Sequence, residues 1–245
     1  LITGVLFAYG VSSEGGGYLG ANLRAFFTFG AYAGVVIMLI YTGRRYYRNV
    51  VQKAFTGKSP DEVGPDAAWG MRVFVACVVL LMVDLLILGL DWPLVIIYTL
   101  LVISMFLVMS RIMAETGLFF IQTYWFPCAI ISGLMGAAAL GPSTMMIMMM
   151  LTTVLLIDPR ESIMPFVVNS LKLVDMRKVK VGRTALWSGG AVLLGLFIAV
   201  PLILYWQYDR GTNMHDGWAT NAVPKMGFEM AVRAKTRLEA QGSLE

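Results

Sequence analysis

One histidine, two cysteines and 14% charged residues are little chemistry for 245 residues, and each shortage excludes something. A lone histidine, His215, cannot complete a zinc site or a catalytic triad. Cys77 and Cys128 both lie inside apolar runs, where a small thiol packs as a hydrophobe, so neither a disulfide nor a redox compartment is defined by them. No nucleophile is paired with a base, no cluster has metal-ligand spacing and no cofactor motif occurs. Glu14 with Gly15, Gly16 and Gly17 lacks the lysine and the strand-to-helix setting of a phosphate loop, and reads as an outer glycine-rich segment. The expectation is a protein that is no enzyme and holds no cofactor and no metal. A signal peptide is not expected either: the apolar opening LITGVLFAYG is too short to span and has no basic leader, so the chain reads as a piece of a longer protein.

What is abundant is apolar surface. Hydrophobic residues make up 58% of the chain, and the mean hydropathy is +0.73. Such a chain needs lipid as its solvent, and in lipid the backbone must satisfy its own polar groups. Apolar runs of helix length without strand-like alternation select helices over a barrel. The fold class expected is all-α, a polytopic transmembrane helix bundle of about six spans with amphipathic cytoplasmic loop helices.

The spans are read at 23–42, 71–90, 93–110, 118–140, 143–157 and 184–205. The first continues as GRRYYRNVVQKAF with Tyr47, Val50, Val51 and Phe55 on one face, so its helix is expected to run on into the cytoplasm. Asp91-Trp92-Pro93 punctuates the second and third spans, Asp as a cap and Pro at an early helical position. Pro127 should kink or break the fourth, and the fifth is short for a bilayer core of ~30 Å. Three regions follow: an outer segment over 1–22, a transmembrane domain over 23–206 and a polar C-terminal tail over 207–245.

The formal net charge of +4 does not imply nucleic acid, because the cations crowd two short loops beside apolar segments. Arg44, Arg45, Arg48, Lys53, Lys58 and Arg72 occupy the first loop; Arg160, Lys172, Arg177, Lys178, Lys180 and Arg183 occupy the second. Four crossings between the loops put both on one side, and the positive-inside rule makes that side cytoplasmic, with the C-terminal tail outside. The partners implied are the lipid bilayer and further membrane segments or subunits. No internal repeat is evident, so an inverted-repeat transporter does not follow from the pattern.

The run YTGRRYY (41–47), the motif RIMAETG (111–117), the pair Gly141-Pro142 and the string MPFVVNSLKLVD (164–175) occur in this order with helices between them. As a set they resemble a family of large, uncharacterised bacterial multi-pass membrane proteins, of which this chain looks like the C-terminal portion. The resemblance spans roughly 12–207 and implies a longer parent protein in a bacterial inner membrane, with further spans before this stretch. The chain also resembles, remotely, oligopeptide-transporter-like proteins, without a transporter motif to carry the likeness. Where the family usually has a second basic residue, this chain has Met113, which reduces any charge network around Arg111.

Three ionisable residues stand out against the apolar background. Arg111 and Glu115 share a helix face at the end of a span. They read either as a pair lining a polar path or as an interfacial salt bridge marking a helix end. Asp84 lies about seven residues inside its span, where a carboxylate must be protonated, paired or hydrated. It reads as a proton or cation site, or as a buried hydrogen-bonded structural group. Together Asp84, Arg111 and Glu115 form a candidate polar path. The cluster Met145, Met146, Met148, Met149 and Met150 has the thioethers for Cu(I) but no Cys or His near it in sequence, and reads as packing. Residues 161–175 place Ile163, Phe166, Val167, Leu171 and Val174 at helical spacing, as an interfacial helix would. The functional expectation is a transporter-like module moving a small solute or ion, with a structural or accessory subunit of a larger membrane complex as the alternative.

Overall fold

The computed structural model describes residues 22–57, 63–118, 121–157, 163–211 and 217–240, and these are helical with no strand among them. The glycine-rich segment around Glu14, the loop cations Lys58 and Arg160, and His215 lie outside the described residues.

Helix α1 (Leu23–Thr56) starts where the Asn22 side chain accepts from the Ala25 N–H at 2.7 Å, and stops at Gly57, whose φ of 71° no β-carbon favours. It is one continuous helix through the basic stretch, as the sequence pattern implies. Its buried residues there are Val50 and Ala54; Tyr47 and Phe55 are exposed. Helix α2 (Pro65–Ile87) opens on a proline, which costs nothing at a position whose N–H has no helical acceptor. Two clasps bind α1 to α2: the Lys53 ammonium donates to the Val63 carbonyl, and Arg72 Nε donates to the Ala54 carbonyl at 2.7 Å.

Helix α3 (Trp92–Thr116) follows a tight turn over 88–91. Asp91 does hold the N-cap position, but its side chain makes no capping bond, so Pro93 and backbone geometry begin this helix. Gly117, at φ 70°, ends it. Helix α6 (Met164–Met176) interrupts the second basic loop, and α7 (Val181–Arg210) is the last long apolar helix. After a π-helical turn (Trp218–Ala222), α8 (Val223–Ala240) turns the polar tail into an ordered element packed on α5 (Ala137–Leu155).

Among the described residues α1, α2, α3 and α7 are long and apolar enough to cross a membrane. The protein is membrane-embedded and helical. The largest departure from the sequence pattern falls on 118–140. Residues 121–126 are non-helical, α4 (Pro127–Met135) has nine residues, and the chain breaks again before α5. Pro127 does not kink a long helix; it starts a short one. Gly136 (φ 82°, ψ 152°) and Gly141 (φ 73°, ψ 158°) then adopt a backbone region essentially reserved for glycine, and Pro142 prevents the helix from healing across the second joint.

Candidate functional site

The broken stretch lies in the centre of the bundle. Thr123, Trp125, Phe126, Cys128, Ala129, Ile130 and Ile131 are each no more than 2% exposed. In a bilayer, irregular backbone survives only where protein or trapped water covers it, and here α1, α3 and α5 supply the cover. Trp125 receives the edges of Phe29 and Tyr32 from α1, with ring centroids 5.1 and 5.7 Å away. On α3, Met105, Met109 and Met113 recur every fourth residue and are all fully buried. The Thr123 hydroxyl donates to Met105 Sδ at 3.6 Å. At the neighbouring position the Arg24 guanidinium lies 3.8 Å above the Tyr124 ring, which ties this segment to the start of α1.

Polar groups gather around the break. Tyr98 Oη and Thr152 Oγ1 share a buried hydrogen bond of 3.0 Å between α3 and α5. The Cys128 thiol, at the start of α4, meets the same Thr152 hydroxyl. The Thr99 hydroxyl and the Trp125 indole N–H are buried and have no hydrogen-bond partner among the described residues. Leaving such a group unsatisfied costs about 1–3 kcal/mol, so the Trp125 N–H inside the broken stretch is a feature to explain.

The charged residues singled out in the sequence fall elsewhere. Arg111 and Glu115 form an i,i+4 ion pair of 2.5 Å near the end of α3, more than half exposed on both sides. Asp84 is exposed on α2, and no hydrogen bond or ion pair reaches its carboxylate among the described residues. Because α2 ends at Ile87, Asp84 lies in its last turn, ~4.5 Å of helix rise from the end, closer to the boundary than the apolar run implies. Along the antiparallel α2–α3 pair, ~24 Å of rise separates Asp84 from Arg111, so the two sites stand at opposite ends of the hairpin.

The methionine cluster divides by helix face. Met145, Met148 and Met149 enter the apolar core. Met146 and Met150 line an apolar groove of about 370 Å³ between α5 and Leu88. Among the described residues no three His, Cys, Asp or Glu side chains gather as a metal site.

Tyr98, Thr99, Thr123, Trp125 and Thr152 were not singled out by sequence reasoning. Their signal was present but faint: hydroxyl and indole groups at mid-span positions of otherwise apolar runs, which pairwise patterning cannot connect across more than fifty residues.

These features define a polytopic helical membrane protein with a broken, buried segment at its centre. The chain belongs to a family of unknown function (DUF6785), whose model matches residues 1–241. No curated protein and no solved structure matches it.

Proposed function

We propose that this chain is a transporter-like membrane module that moves a small solute or ion past its broken central segment. The observation that carries the reading is the non-helical stretch 121–126 followed by the half-length helix α4, enclosed by the bundle and ringed by buried hydroxyl groups. Discontinuous helices at depth are how many transporters present backbone and hydroxyl groups to a solute. In this reading the Arg111–Glu115 pair belongs to one mouth of the path and Asp84 to the other. The extended segment with α4, and then α5, supply the fourth and fifth of six crossings. Both basic loops then share the cytoplasmic face of a bacterial inner membrane. The expectation of a tail lying free outside is not kept, because α8 packs along α5 as far as Ile157. Support for one shared face comes from two contacts, one between the loops and one from the second loop to the end of α3. A β-carbon at Gly182 would sit 3.7 Å from Asp66, and Asn169 donates to the Leu118 carbonyl at 3.1 Å. α6, with Phe166, Leu173 and Met176 exposed, suits an interfacial helix on that face.

The test needs no known substrate. With Cys77 and Cys128 replaced by Ala, Thr123→Cys in the full-length protein should react with a small, charged thiol reagent in membranes, since a solute path must open to water at this position. Failure to label under any condition, while Ser170→Cys labels freely from the cytoplasmic side, would remove the transport reading.

A structural or accessory role in a larger membrane complex is the second reading, and one observation favours it. α7 is long and apolar, yet none of its residues is buried, which leaves a whole helix surface for other spans.

A further inference from the structure

We propose that one end of the bundle is a binding surface for anionic phospholipid headgroups, formed jointly by the C-terminal half of α1 and the turn between α6 and α7. Two cation clusters far apart in sequence lie at this same end. Arg44, Arg45 and Arg48 project from α1; Arg177, Lys178 and Lys180 occupy the α6–α7 turn, and all six are exposed. The contact between Gly182 and Asp66 brings the start of α7 to the start of α2. The Arg72–Ala54 bond holds that same end of α2 against α1.

Charge decides the class of partner. None of the six cations has a carboxylate within 4.0 Å among the described residues, whereas Arg233 and Lys235 on α8 are paired with Glu229 and Glu239. Along the sequence the two loops carry twelve cations against six carboxylates, Asp61, Glu62, Asp66, Asp158, Glu161 and Asp175, and Glu115 nearby is engaged by Arg111. The surface therefore keeps a clear positive excess that the protein does not neutralise.

The setting selects lipid over a soluble polyanion. The cations border helices whose apolar sides are exposed, and aromatic rings stand among them: Arg44 lies 4.5 Å over Tyr41, Arg72 lies 5.6 Å over Trp69, and Tyr46 and Tyr47 are exposed beside them. Aromatic rings at the headgroup level with arginines above them match a membrane interface, where phosphates and acyl chains meet. A nucleic-acid duplex would offer the phosphates but, with its bases stacked inside, no acyl chains or free base faces for Tyr46, Trp69 or Phe166.

Thermal unfolding of the full-length protein in nanodiscs of phosphatidylglycerol or phosphatidylcholine tests this. Phosphatidylglycerol should raise the midpoint, and R44Q/R45Q/R48Q and R177Q/K178Q/K180Q should each lose about half of that rise. The paired cations serve as control, so R233Q/K235Q should keep it. Because loop cations also set insertion, the unaltered protein provides an independent arm. The phosphatidylglycerol it retains through detergent purification should fall severalfold between about 50 and about 500 mM salt, with phosphatidylcholine unchanged, as screening of exposed charge requires. Equal stabilisation by both lipids, an undiminished rise in both cation variants, or full displacement of the lipid by soluble glycerol phosphate or by duplex DNA would each overturn the proposal.

Discussion

Helices α3 and α7 are alike as sequences and opposite as neighbours. Both are long and apolar enough to cross a bilayer, but α3 buries nine residues against α1, α2, α4 and α6 while α7 buries none. The difference teaches that hydropathy marks the solvent a helix requires and leaves its contacts undetermined, because lipid tails and leucine side chains are equally apolar. What separates the two is shape. α3 carries Met105, Met109 and Met113, which adapt to an irregular partner, and that partner is the broken stretch around Trp125.

Five substitutions sharpen the contrast, and the largest effect falls at its centre. Trp125→Ala removes a fully buried ring that touches Phe29 and Tyr32, and should cost ~3–5 kcal/mol in thermal or denaturant unfolding. The matched change on α7, Phe197→Ala at a residue 79% exposed, should stay within ~0.5 kcal/mol if that face meets only lipid. A loss at Phe197 as large as at Trp125 would mean that α7 is buried against another span, and would break the distinction between centre and rim.

A smaller effect is expected at the joints. Gly136→Ala and Gly141→Ala each force a β-carbon into a backbone region reserved for glycine, and should each cost ~1–3 kcal/mol although nothing within 4 Å opposes the added atom. A neutral result at Gly141 would mean that the break within α5 relaxes into a continuous helix. The smallest effect belongs to the exposed pair. Arg111→Gln should change unfolding stability by less than ~0.5 kcal/mol, since ions more than half exposed gain little from one another.

Much of this architecture is legible in the sequence, for identifiable reasons. Asn22, Gly57, Pro65, Gly117 and Pro127 punctuate helices through backbone chemistry that acts locally, and the basic run 44–53 continues α1 because nothing in it breaks a helix. The stretch 118–126 misleads because its residues are as apolar as those of a span. Over 121–126 tertiary cover from Phe29, Tyr32 and Met105 lets a non-helical backbone persist. The candidate site was the hardest to read. Charge draws attention to Asp84, Arg111 and Glu115, whereas the buried polar groups are uncharged and come together from segments as distant as Tyr98 and Thr152. The order within the tail was equally hidden, because the partner of α8 is not its neighbour in sequence.

That partnership bears on how the protein is made. Gly227 of α8 packs so closely on Met150 of α5 that a β-carbon would lie 3.1 Å from the sulfur, yet about 77 residues of chain separate the two. α5 is itself short and broken at Gly141, a poor candidate for holding its place in a bilayer alone. At synthesis rates of ~5–20 residues per second, α5 waits several seconds for the segment that covers its Met150, Thr153 and Ile157 face. During that interval the machinery of insertion, rather than the protein's own packing, has to shelter it. A chain cut short after α7 would therefore lose more than a polar extension: it would leave the central hairpin without its last wall.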